Sequence, residues 1–96
     1  MPLYVTLGTY TAEAMQHISE VPQHFQRNRS LIESGGGKLI GVYALMGEWD
    51  LLVITEFPDE KRALSALLTI CKTGRMTTQT MTALPFEEFA TLASNA

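Results

Sequence analysis

Residues 51–54, Leu-Leu-Val-Ile, constrain this chain more than any other stretch. Four consecutive aliphatic residues read as a strand, and side chains leave a strand on alternating sides. Leu51 and Val53 therefore share one side, Leu52 and Ile54 the other, and both sides need cover from water. Asp50 and Glu56 flank the run on the side of Leu52 and Ile54. Six strand residues span about 20 Å, beyond the roughly 5–9.5 Å over which two carboxylates act on one substrate. The two acids are thus expected to frame that side, capping nearby backbone donors, rather than to form an acid–base couple.

The rest of the chain must supply the cover. Leu3 to Thr9 alternates aliphatic residues with Tyr4, Thr6 and Gly8 and predicts a first strand. Thr11 is placed to cap a helix, with Glu13 in its first turn. An apolar stripe through Ala14, Ile18, Val21, Phe25 and Ile32 continues to Ser34. Pro22 cannot sit inside that helix without losing a hydrogen bond, so a short helix and a restart at Pro22 are predicted. Gly35-Gly36-Gly37 ends the element; it runs from helix into strand, the reverse of a phosphate-binding loop. Lys38 to about Leu45 and Asp50 to Phe57 predict a hairpin around Met46-Gly47-Glu48-Trp49. Asp59 caps a second main helix with a wide apolar face that includes Cys71, closed by Gly74. Arg75 to Leu84 predicts a fourth strand, and Pro85 opens a terminal helix carrying Phe86, Phe89 and Leu92.

This order, βαββαβ plus a C-terminal helix, is that of a ferredoxin-like α+β fold with a four-stranded antiparallel sheet, here a single domain over residues 1–96. Right-handed crossovers place both main helices on one face of the sheet. A second copy of the sheet is the simplest cover for the other face, with Leu52, Ile54 and Glu56 in the interface. If Leu3, Val5 and Leu7 pack under the helices, then Tyr4, Thr6 and Tyr10, joined by Tyr43, face the partner. Thr78 and Thr80 of the fourth strand are candidates for the same group.

Composition narrows the function classes. Hydrophobic residues make up 46% and charged residues 18%, as in a soluble globular protein. The net charge of −3 includes no run of either sign, so neither nucleic acid nor an anionic membrane is an expected partner. One cysteine cannot form an intrachain disulfide or a multi-cysteine zinc site. With no signal-peptide pattern and no apolar run of about 18 residues, a cytoplasmic location is expected, and no cofactor. His17, Glu20 and His24 are the only set resembling metal or haem ligands. The two histidines lie about 10.5 Å apart along an ideal helix, too far to chelate one ion.

Gly47-Glu48-Trp49-Asp50, the strand that follows and Pro58-Asp59 resemble the Gly-x-Tyr-Asp signature of the GYD-domain family. The likeness extends to Leu7-Gly8-Thr9-Tyr10-Thr11, Gly36-Gly37-Lys38-Leu39 and Leu84-Pro85-Phe86-Glu87-Glu88-Phe89. It implies a dimeric α+β barrel, two ferredoxin-like sheets packed face to face, but no particular reaction. Trp49 stands where the family has tyrosine, and an indole has only an N–H to donate. The expected function is binding of a small apolar ligand or assembly as a homodimer, with Tyr4, Thr6, Tyr10, Tyr43, Trp49 and Asp50 as candidate ligand contacts. The alternatives are a cofactor-independent monooxygenase or isomerase, and a haem- or metal-binding protein using His17 or His24.

Overall fold

The computed structural model describes residues 1–96. Its elements are β1 (Leu3–Tyr10), α1 (Ala12–Met15), α2 (Val21–Ser34), β2 (Lys38–Ala44), β3 (Leu51–Glu56), α3 (Glu60–Cys71), β4 (Met76–Ala83) and α4 (Phe86–Ser94), with one 3₁₀ turn at Ile18–Glu20. The sheet order is β2-β3-β1-β4 and every neighbouring pair is antiparallel, the ferredoxin-like arrangement.

Local chemistry sets the boundaries. The Thr11 hydroxyl accepts from the Ala14 N–H at 3.2 Å and caps α1, and Asp59 accepts from the Arg62 N–H at 2.9 Å and caps α3. The restart at Pro22 is realised as the 3₁₀ turn followed by α2, with the proline in its first turn. After α2 the chain leaves through Gly36 at φ 83°, a left-handed conformation suited to glycine.

The register decides which side of the sheet each residue serves, and it reverses the expectation for β1. Val5 lies opposite Ile54 and Leu7 opposite Leu52, so the aliphatic set of β1 shares a side with Leu52 and Ile54. That is the open side, away from the helices. Tyr4, Thr6 and Tyr10 instead lie under the helices with Leu51, Val53 and Thr55. The physical reason is the burial of the ring: Tyr4 is 4% exposed in the helix-side core, where it meets Phe57 edge-on at 6.1 Å and 69°. A bulge at Ile40 shifts the register of β2, so Leu39 and Val42 both face the helices while Tyr43 lies opposite Leu52 on the open side.

The core on the helix side consists of Tyr4, Ile32, Phe57, Ala63 and Ala66, with Leu39 and Ile70 packed against it. Only 7 of 96 residues are buried and no side chain is less than 2% exposed, so a single chain leaves its hydrophobic packing incomplete. The molecule measures 50 Å in its longest dimension, and α4 carries Phe86, Phe89 and Leu92 at 73%, 56% and 62% exposure. The radius of gyration is 14.7 Å, against about 12.5 Å for a folded chain of this length. No helix is long and apolar enough to cross a membrane.

Candidate functional site

Between the sheet and the helices lies a cavity of about 620 Å³, within the roughly 300–1,000 Å³ of small-molecule sites. The sheet provides its floor through Leu51 and Val53 of β3 and through Tyr4, Thr6 and Tyr10 of β1. Phe25 and Ile32 of α2 and Leu67 and Ile70 of α3 form the walls. The polar groups on the floor are mostly hydroxyls. Thr6 and Thr80 share a hydrogen bond of 2.8 Å between their Oγ1 atoms across β1 and β4. The Cys71 thiol, half-buried, lies 3.3 Å from the Thr78 Oγ1 and is hydrogen-bonded to it.

Two phenols differ from ordinary tyrosines. Burial pushes the Tyr4 phenol above its usual value of 10.0, with Glu60 and then Asp59 adding to the effect. Burial also raises Tyr10, and the Asp50 carboxylate raises it further. Both therefore stay protonated at neutral pH and can donate. The Tyr4 hydroxyl is the one buried side-chain polar atom with no hydrogen-bond partner.

The other predicted contacts lie elsewhere. Tyr43 is 58% exposed on the opposite side of the sheet, so the expected four-residue group is split. Trp49 and Asp50 are half-buried at the hairpin end and do not line the cavity. Trp49 stands between the bend at residues 46–48 and β3. Asp50 is a fastener: its N–H donates to the Gly8 carbonyl at 2.8 Å, its carbonyl accepts from the Leu45 N–H at 2.8 Å, and its Oδ2 accepts from the Tyr10 N–H at 2.9 Å. Asp50→Ala is expected to lower stability by about 2 kcal/mol, the usual loss for a hydrogen bond to a charged group. Asp50→Asn, which keeps an acceptor, should lose clearly less. Urea melts of the two variants compare them, and equal losses would show that the side-chain bond contributes nothing.

Leu52, Ile54 and Glu56 lie on the open side, as their spacing predicts. His17 Nδ1 and Glu20 Oε2 are 3.3 Å apart, and His24 is half-buried at the cavity wall. No three His, Cys, Asp or Glu side chains come together to hold a metal ion. The candidate set is thus a two-residue contact plus a separate imidazole. Sequence reasoning did not single out Arg75 and offered Thr78 and Thr80 only as candidates for the partner-facing group; all three line the cavity. A single arginine ahead of a threonine-rich strand carries no motif that would single it out.

The arrangement has known counterparts. The crystal structure of FFRP-DM1 superposes with a TM-score of 0.59 at 23% identity, covering 88% of this chain and 100% of that one. A hypothetical protein from Pyrococcus horikoshii gives 0.51 at 23% identity, over 88% and 92%. An AsnC family transcriptional regulator from Agrobacterium tumefaciens gives 0.52 at 15% identity, covering 88% of this chain but 51% of the regulator. At these identities the likeness is one of fold. A Thermus thermophilus protein named as a glutamine synthetase and cystathionine beta-lyase binding protein is 26% identical over 86 residues, 88% of this chain and 90% of that protein. The sequence matches the GYD domain over residues 4–93, nearly its whole length, and the chain belongs to that family.

Proposed function

We propose that this chain is a self-associating binding protein. Two copies pair through the open faces of their sheets, and the cavity on the other side of each sheet holds a small, largely apolar molecule. The observation that carries the reading is the uncovered side of the sheet, where Leu3, Val5, Leu7, Leu52, Ile54 and Met81 lie together in register. Four strands of six to eight residues present roughly 400 Å² in plan. The aliphatic centre of that area is a contiguous apolar surface of the kind that marks an interaction site. The Thermus relative, named for binding two enzymes, supports a binding role and leaves room for a protein partner as well. Within the cavity, the hydroxyls and aliphatic side chains of the floor support holding a molecule, while His17, His24, Glu13 and Glu20 line the helix side of the same space.

Analytical ultracentrifugation tests the pairing. The full chain is expected to sediment at about twice its 10.6 kDa mass at micromolar concentration. Removing residues 86–96 strips the apolar stripe of α4 and is expected to shift the equilibrium toward single chains by at least tenfold. A full-length protein that stays monomeric and soluble at high concentration would end this reading.

A further inference from the structure

The two edges of the sheet are unlike. The β2 edge carries Lys38 and a bulge at Ile40, both of which discourage a further strand. The β4 edge has neither. Met76–Ala83 contains no charge and no proline, and its register against β1 runs unbroken from Leu3 opposite Ala83 to Tyr10 opposite Met76. Half of its backbone groups are also unpaired. Along a strand these groups point alternately to one neighbour and the other. Even-numbered residues of β1 point toward β3: the Gly8 carbonyl accepts from the Asp50 N–H, and the Tyr10 N–H donates to the Asp50 carboxylate. Odd-numbered residues point toward β4, as the Thr11 N–H does in donating to the Arg75 carbonyl. In this register Thr77, Gln79, Met81 and Ala83 bond to β1, while Met76, Thr78, Thr80 and Thr82 direct their N–H and C=O groups outward. None of the chain's turn, loop or cap hydrogen bonds reaches those outward groups.

The helix layer above this edge is apolar on its outer flank. Cys71 of α3 meets Thr78 of β4 through Sγ and Oγ1 at 3.3 Å, so the Cys71 flank of the helix overhangs β4. Leu64, two turns before Cys71, lies on the same flank, and Leu68 is one turn from Leu64. Both are exposed, at 57% and 63%. The opposite flank, with Arg62, Ser65 and Thr69, shares a groove with Leu31 and Ser34 of α2. We propose that β4 takes a second copy of this chain along its edge, antiparallel about a twofold axis at Gln79. Thr78 of each copy then meets Thr80 of the other, and Met76 meets Thr82, each pair exchanging its outward backbone hydrogen bonds. No charge is set against its like, because the strand has none. Leu64 and Leu68 of the two α3 helices approach one another across the same axis. An extended peptide on the edge would leave these leucines bare, whereas a second copy covers edge and leucines together. This contact goes beyond the pairing of the open sheet sides and uses different groups. It is the smaller of the two, a strand edge and two leucines from each copy. It therefore joins pairs into fours only at concentrations well above those at which pairs form.

Amide hydrogen exchange followed by NMR tests the edge residue by residue. At micromolar concentration the amides of Thr77, Gln79 and Met81 should be protected by β1, while those of Thr78, Thr80 and Thr82 exchange freely. At millimolar concentration the second set should slow at least tenfold, and sedimentation should show twice the mass of the pair. Thr82→Pro removes one outward donor without touching the ladder to β1, and should weaken the edge contact at least tenfold while pairs persist. Leu64→Lys combined with Leu68→Lys, on a surface exposed in the single chain, should do the same with the strand unaltered. Fours that form while Thr78, Thr80 and Thr82 still exchange freely would overturn the proposal, as would pairs that never become fours. Neither result bears on the open sides of the sheet. Slowed exchange at these amides in a protein that stops at two chains would keep the edge contact and overturn the pairing of the open sides instead.

Discussion

Leu52→Asp is expected to separate the paired chains. Leu52 sits in β3 between Leu7 of β1 and Tyr43 of β2, near the centre of the open side of the sheet. In the proposed pair it is covered by the other copy, and a carboxylate there would lose its hydration without gaining a cation. An uncompensated charge at the centre of an interface costs several kcal/mol, and each 1.4 kcal/mol is about tenfold in the dissociation constant. The variant should therefore sediment near the 10.6 kDa of one chain, or aggregate through the apolar surface left bare. Ile54→Asp, two residues along the same side, should behave alike. Should both variants sediment as the parent does, the open side is not where the copies meet.

Gly37→Ala is expected to lower stability by about 2–3 kcal/mol, a large loss for one methyl group. A Cβ at Gly37 would stand 2.5 Å from Cε1 and 2.8 Å from Cζ of Phe57, closer than carbon atoms approach. The ring cannot easily step aside, because it is 3% exposed and packs edge-on against Tyr4 in the middle of the core. Conformation is not the obstacle, since the left-handed glycines are Gly36, Gly47 and Gly74. The loss should therefore be relieved by making room. Chemical denaturation of Gly37→Ala, Phe57→Leu and the double variant gives the coupling directly. Losses that simply add would mean the ring has space to move and that the glycine is not held by packing.

Element order and boundaries were legible in the sequence because each depends on local chemistry. Thr11 and Asp59 cap helices wherever they precede one, Pro22 interrupts any helix, and Gly36 suits the backbone that ends α2. The sides of the sheet were only half legible. Alternation along β1 separates Leu3, Val5 and Leu7 from Tyr4, Thr6 and Tyr10, but it does not say which set lies under the helices. The usual rule puts aliphatic residues inside, and it fails where both sides of a sheet carry them. The bulge at Ile40 left no mark in composition, so the side taken by Tyr43 relative to Leu39 depended on a register no local pattern reveals. For the candidate site, Tyr4, Thr6 and Tyr10 were grouped correctly by period but on the wrong side.

If the chain folds only as it pairs, as proposed above, the scarcity of buried side chains in the single chain ties its survival to its abundance. Where folding and pairing are one step, each tenfold fall in chain concentration weakens the folded pair by about 1.4 kcal/mol. A small protein that buries 7 of its 96 residues alone has little stability with which to absorb several such steps. Chains made in small number would spend long enough unpaired for proteases to reach them, whereas chains made in excess would protect one another. The protein would then accumulate above a threshold of synthesis rather than in proportion to it, a dose response set by the bare side of a sheet and requiring no separate regulator.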